Sequence, residues 1–282
     1  MKKIILPTDF SENAFNAISY ALNLYKKEEC AFYLLNTFTP SAYHDKMEEF
    51  NPGQTDHKDA NQESSLAQMA ELQKHISKKF KNPKHLFIPH CAFNSLVAEI
   101  KKIIEKENID IVIMGTQGAT GAADILFGTN TIHVIKKSGC PILAVPSDFK
   151  YKVPKRILLP TDYEIVYQKE KLRGMMEIAK QHRSQIDVLY VSGGQELNTG
   201  QLLHKASLED ILKGIPCQFH IDADNKIPDA IIDFTFKNNT DLLAMLRLKR
   251  HFLERLFSIS VIRELGFNLI FPLLVIPHET KN

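Results

Sequence analysis

Residues 114–131 read MGTQGATGAADILFGTNT and place Gly115, Gly118, Gly121 and Gly128 in one short stretch of a 282-residue chain that has twelve glycines in all. Glycine is favoured where the backbone takes positive φ or where a ligand approaches the main chain, and both needs arise at phosphate-binding turns. The stretch follows the apolar run IDIVIM. Gly115 and Gly118 therefore fall in a strand-to-helix turn, and Gly128 with Thr129 falls where the next helix, Thr131–Lys137, begins. Backbone N–H groups there, and the partial positive charge of a helix N-terminus, suit an anion. The hydroxyls of Thr129 and Thr131 add donors. Such neutral donors can hold a triphosphate without a lysine. The spacing matches neither a Walker A loop, which ends in GK[ST], nor a dinucleotide fingerprint, which follows the first strand. Gly121 has no task beyond loop flexibility.

A second chemical group belongs at the same edge of the sheet. The first apolar run ends in Pro7-Thr8-Asp9, presenting a carboxylate suited to ribose hydroxyls or to a phosphate-bound Mg²⁺. Asp124 is the other acid near the glycine loop, read as a solvent-exposed residue. Turnover would call for a positioned base, a cation clamp or an arginine finger, and the sequence offers none. His44 and His57 are placed either to close over a ligand or simply in solvent.

The elements that position these groups alternate between strand-like runs and helical periodicity. Strands are expected at Lys3–Leu6, Phe32–Thr37, His85–His90, Ile109–Met114 and Ile142–Val145. Amphipathic helices are expected over Asn13–Lys26, with Ser11 as N-cap, and over Ser95–Lys106. This pattern gives an α/β fold: a parallel sheet with helices on both faces, binding ligands at the carboxyl ends of its strands.

The chain is also written twice. KKIILPTDF at 2–10 recurs as KRILLPTDY at 155–163, offset by 153, and CPILAVP at 140–146 recurs as FPLLVIP at 271–277, offset by 131. The second copy is thus 22 residues shorter. The deficit follows the second strand, where the first copy carries the polar stretch SAYHDKMEEFNPGQTDHKDANQES, expected to be a surface loop or lid. A short linker near Ser147–Pro154 separates a domain at 1–148 from one at 155–282.

G-x-x-G, nine residues, then G-[ST], present as Gly115, Gly118, Gly128 and Thr129, resembles the ATP-binding signature of the universal stress protein family. With LPTD after a Lys-Lys start, DIVIMGTQG and CPILAVP, the resemblance extends over both halves, as in a tandem member. It implies two Rossmann-like domains, each an open five-stranded parallel sheet in the order 3-2-1-4-5. It also implies ATP, with Mg²⁺ as a possible companion, across the ends of strands one and four. Adenine and ribose contacts would fall on Pro7, Thr8, Asp9, Asn36, Thr37, Met114 and Gly115. Phosphate contacts would fall on Gly118, Gly128, Thr129, Asn130 and Thr131. Asn36-Thr37 stands where the family often has His-Val, which leaves the adenine-contacting atom open. In the family, fifth strands pair across a two-fold axis, which here implies an intramolecular pseudo-dimer and allows a homodimer.

The second copy lacks the loop. Aligning LLAMLRLKRHFLERLFSISVI puts Leu246 at Gly115, Lys249 at Gly118 and Ser258 at Gly128. Side chains there restrict the backbone and fill the space phosphates need, so ATP should not bind in the same manner, although Asp162 is kept. Arg247, Lys249, Arg250 and His251 make this a basic loop, solvated or built to hold an anion. The SGG at 192–194 reads as a turn.

Bulk composition closes off other classes. A net charge of +2 from 35 basic and 33 acidic residues gives no polybasic stripe for nucleic acid. No apolar run reaches the length of a membrane span, and the N-terminal run is too short for a signal peptide, so a cytoplasmic protein is expected. Cys30, Cys91, Cys140 and Cys217 lack metal or dithiol spacing and read as small apolar residues. Three roles remain: a non-catalytic ATP-binding regulator, a slow ATP hydrolase, and a scaffold with a vestigial loop.

Overall fold

The computed structural model describes residues 1–38, 56–116, 128–192, 194–223, 226–247 and 271–278. They form two compact units, one on Met1–Cys140 with Ala144–Asp148, the other on Phe149–Asn282 with Pro141–Leu143. The first unit runs β1 (Lys2–Pro7), α1 (Glu12–Leu24), β2 (Cys30–Phe38), α2 (Asp56–Lys79), β3 (His85–Phe93), α3 (Leu96–Glu107), β4 (Ile111–Gly115) and α4 (Thr129–Lys137), and takes the second half of β5 (Ile142–Val145). Its strand order is β3-β2-β1-β4-β5. β1 pairs in parallel with β2 and β4. Ile4, Ile5 and Leu6 in the central strand are fully buried, as expected of a parallel strand covered on both faces. β3 is partly exposed at the edge and carries Pro89, which an edge tolerates because it removes a ladder donor.

Helix starts follow side-chain chemistry. Ser11 caps α1, its hydroxyl accepting from the Ala14 N–H. Ser95 caps α3 in the same way from Ala98, so it precedes the helix instead of forming its first turn. α4 starts two residues earlier than the periodicity predicts, with Gly128 as its cap.

The polar stretch after β2 departs most from expectation. Its second part, from Asp56, belongs to the 24-residue helix α2 and is not a loop; residues 39–55, with His44, lie outside the described residues. The helix is held by a narrow stripe, Ser65, Met69 and Ile76, buried at helical spacing against β2 and β3. So thin a stripe in a polar sequence carries little periodic signal.

The second unit runs β6 (Arg156–Thr161), α5 (Lys169–His182), β7 (Gln185–Val191), α6 (Thr199–Ile211), β8 (Cys217–Asp222), α7 (Ile227–Asn238), β9 (Leu242–Arg247) and β10 (Leu273–Pro277), in the order β8-β7-β6-β9-β10. The internal repeat holds at the level of single hydrogen bonds. The Lys3 N–H donates to Asp110 Oδ2 at 2.8 Å and the Asp110 N–H to the Lys3 carbonyl at 2.9 Å. Arg156 and Asp241 repeat the pair at 3.1 and 3.0 Å. Asn108 and Asn239 end the preceding helices at φ of 54° and 51°, in the left-handed region that asparagine tolerates.

Among the described residues, each unit buries one acidic group. In the first, Glu99 accepts from Asn94 Nδ2 at 2.9 Å and pairs with His90 Nε2 at 2.8 Å. Burial raises its pKa, but these bonds and the nearby Lys102 outweigh that and hold it below the usual carboxylate range. In the second, Asp187 is fully buried and accepts two bonds from the Arg156 guanidinium at 3.0 and 2.9 Å, with Gln185 and His220 on its other oxygen. Burial pushes the Cys30 and Cys140 thiols up to about 12 and Cys217 to about 11, which keeps them protonated and unreactive. No helix among the described residues is long and apolar enough to cross a membrane.

Candidate functional site

The first strand delivers Thr8 to the sheet edge with all of its polar groups in use. Its N–H donates to the Leu35 carbonyl at 2.8 Å, its hydroxyl accepts from the Phe10 N–H at 2.9 Å, and its carbonyl accepts from Asn36 Nδ2 at 2.7 Å. Phe10 takes a φ of 64°, a left-handed conformation that turns the chain into α1 at some cost for a bulky residue. Pro7 is buried as the last residue of β1. Asp9 is exposed, and its Oδ1 accepts from the Ser11 N–H and hydroxyl at 3.1 and 2.5 Å. The carboxylate is therefore oriented by the residue that caps the next helix.

At the end of β2, Asn36 is buried and Thr37 half-buried. Asn36 Oδ1 accepts from the Ser65 hydroxyl at 2.7 Å, so both ends of its carboxamide are bonded inside the protein. A ligand reaching β2 therefore finds backbone and Thr37, not the Asn36 side chain. Ser65, in α2, was no candidate in the sequence. The only signal was its position four residues before Met69 and eleven before Ile76 on the buried stripe.

Around the glycine loop the structure fixes the base. Met114 and Gly115 end β4 and are buried. The Thr116 N–H donates to the Val145 carbonyl at 3.0 Å, and the Gly128 N–H returns to the Thr116 carbonyl at 2.7 Å. The Thr131 hydroxyl is buried and donates to the Gly115 carbonyl at 2.9 Å. Thr131 thus ties β4 to α4 and is not a spare donor, contrary to the sequence reading of its hydroxyl. Thr129 and Asn130 are exposed on the first turn of α4, and among the described residues no side chain caps that turn. Its N–H groups, with the Thr129 hydroxyl and Asn130 amide, form a neutral donor set of the kind that suits phosphate. Gly118, Gly121 and Asp124 lie outside the described residues. His57 sits in α2. Among the described residues no group of three His, Cys, Asp or Glu is placed to hold a metal ion.

The second unit keeps the turn and fills the space above it. The Tyr163 N–H donates to Thr161 Oγ1 at 3.0 Å and the Glu164 N–H to Asp162 Oδ1 at 3.0 Å, with Tyr163 at a φ of 55°. Here α5 starts at Lys169, and the longer approach to it buries Ile165 and Tyr167. The Tyr167 hydroxyl bonds Thr161 Oγ1, and burial pushes the phenol pKa up. From α6, Gln201 donates to the Asp162 carbonyl at 2.9 Å, and His204 Nδ1 lies 2.7 Å from the Tyr163 carbonyl. Leu246 is buried at the end of β9. Its register is that of Gly115, since Ile111 faces Ile4 as Leu242 faces Ile157. Arg247 ends β9; Lys249, Arg250, His251 and Ser258 lie outside the described residues.

Comparison with known proteins agrees with this architecture. A solved universal stress protein from Archaeoglobus fulgidus superposes with a TM-score of 0.66 at 20% identity, covering 99% of this chain and 97% of that one. One described as a putative universal stress protein from Pseudomonas aeruginosa gives 0.58 at 10% identity, covering 98% and 93%. At these identities the likeness concerns the fold. A curated universal stress protein of Methanocaldococcus jannaschii is 34% identical over 164 residues, spanning 51% of this chain and 94% of its own length. The model of the universal stress protein family matches residues 1–146, and the chain belongs to that family.

Proposed function

We propose that the N-terminal domain, residues 1–148, binds ATP at the carboxyl ends of β1, β2 and β4, and that the chain acts as a nucleotide-responsive regulatory or stress-survival protein. The observation that carries this reading is the first turn of α4, whose N-cap Gly128 supplies no side-chain cap, tied to the end of β4 at Thr116–Gly128 and Gly115–Thr131. Phosphates would lie on Gly118, Gly128, Thr129 and Asn130. Ribose would lie on Asp9, and adenine against Pro7, Thr8, Thr37, Met114 and Gly115, with Mg²⁺ carried in by the nucleotide. The bound nucleotide supplies charge to be neutralised by dipoles, and the protein's part is to position it.

The degenerate domain, residues 155–282, is read as a non-binding partner. Pairing through the apolar fifth strands, within a chain or between two chains in a cytoplasmic homodimer, belongs to this reading because such edges are hazardous when left open. Calorimetry of the full chain with Mg-ATP tests it: one site per chain is expected, and two equal sites or none would refute it. Slow hydrolysis is the second reading, favoured by the exposed Asp9 carboxylate. It requires Mg²⁺-dependent phosphate release that is lost in Asp9→Ala.

A further inference from the structure

Helix α2 has no chemical role in the site just described, yet its buried stripe begins with a polar residue, Ser65, at 4% exposure. The Ser65 hydroxyl donates to Asn36 Oδ1 at 2.7 Å, and Asn36 Nδ2 donates to the Thr8 carbonyl, also at 2.7 Å. On the same residue, the Ser65 carbonyl accepts from the Cys91 thiol at 3.8 Å, and Cys91 is the register partner of Asn36. A carboxamide bonded at both ends has a fixed rotation, and buried chains of hydrogen bonds strengthen one another. Helix α2 and the Thr8-Asp9 turn are therefore joined by an unbroken chain of hydrogen bonds.

The second unit supplies an independent instance. Tyr190 stands there in register with Thr161, at the place of Asn36, and packs against Tyr163 at 5.3 Å between ring centroids. The relay is gone, but the helix after the second strand still reaches the same turn, through Gln201 on the Asp162 carbonyl. Two chemically different ties serve one connection. What differs is that the tie in the first unit passes through the strand end where the proposed ligand meets β2.

We propose that Ser65 and Asn36 are positioning residues of the nucleotide site and that α2 is the element that responds to its occupancy. The inference rests on the ATP reading given above. ATP settling on Thr8 and Thr37 fixes the Thr8 carbonyl, hence the Asn36 carboxamide, hence the N-terminal half of α2. That half is held by a hydrogen bond, whereas Met69 and Ile76 hold the rest by apolar burial.

The test uses the full chain. ATP affinity by calorimetry is expected to fall about tenfold in Ser65→Ala and in Asn36→Ala, roughly the loss of one hydrogen bond, and to be retained in Ser65→Thr, which keeps the hydroxyl. Hydrogen exchange of the α2 amides around Ser65 is expected to slow on adding ATP to the natural chain and not in either alanine variant, an effect a merely structural serine would not produce. Unchanged affinity in both alanine variants, or α2 exchange that is the same with and without ATP in the natural chain, overturns the relay while leaving the ATP site standing. A natural chain that takes up no ATP overturns the site and the relay together.

Discussion

At the end of β4 the first unit has Gly115, and at the matching place on β9 the second has the buried side chain of Leu246. Around these two residues the units have diverged by the same logic. Among the described residues, the first places exposed Thr129 and Asn130 on the first turn of α4 beside its strand ends. The second fills the space above the β6 turn with Tyr167, Gln201 and His204. Beneath both, the Pro-Thr-Asp turn keeps the same two main-chain bonds, each from the N–H of the second residue on, to the Thr hydroxyl and to the Asp carboxylate. The turn is therefore a property of the fold, and the proposed ligand binding would depend on what surrounds it.

The contrast is broken most directly by giving the first unit a residue of the second. Gly118→Lys, the exchange its copy carries, is expected to weaken ATP binding at least a thousandfold, about 4 kcal/mol, with an unaltered melting temperature. Undiminished binding by calorimetry would show that the glycine loop does not distinguish the halves.

The charged pairs at the strand starts sharpen it next. Arg156→Ala leaves Asp187 buried beside fewer donors, and a loss of about 3 kcal/mol is expected in denaturant unfolding. Lys3 occupies the same place in the repeat, but its Glu107 partner, at 3.4 Å, is exposed to 26%. Lys3→Ala is therefore expected to cost less than about 1 kcal/mol. Equal losses would mean that burial does not separate the two pairs.

The smallest difference lies at the helix caps. Ser11→Ala should destabilise by about 1 kcal/mol, because its hydroxyl caps α1. Gln168→Ala should be silent by the same measurement, because Gln168 makes no cap bond for α5.

Much of this was legible in the sequence, and the reasons are specific. β1, β4 and β5 are covered on both faces, so KIIL, IVIM and ILAV announce themselves as continuous apolar runs. Gly115, Gly128 and Thr129 are visible because a tight strand-to-helix turn constrains residue type locally. Helix α2 was hidden because its contact stripe is narrow and begins with a serine. Nor could the tasks of Asn36 and Thr131 be read from their types. Asn36 is claimed by Ser65, 29 residues away, and Thr131 by the Gly115 carbonyl, 16 residues away. Polar residues selected by distant partners look in sequence like polar residues awaiting a ligand.

The clamp at Thr116 and Gly128 carries one more consequence, an entropic one. The Gly128 N–H on the Thr116 carbonyl and the Thr131 hydroxyl on the Gly115 carbonyl join the end of β4 to the start of α4, so the fold itself closes that junction. The configurational loss of bringing its ends together is borne by folding and is not charged again to binding. A ligand at this edge would meet a strand end and a helix start that are already joined.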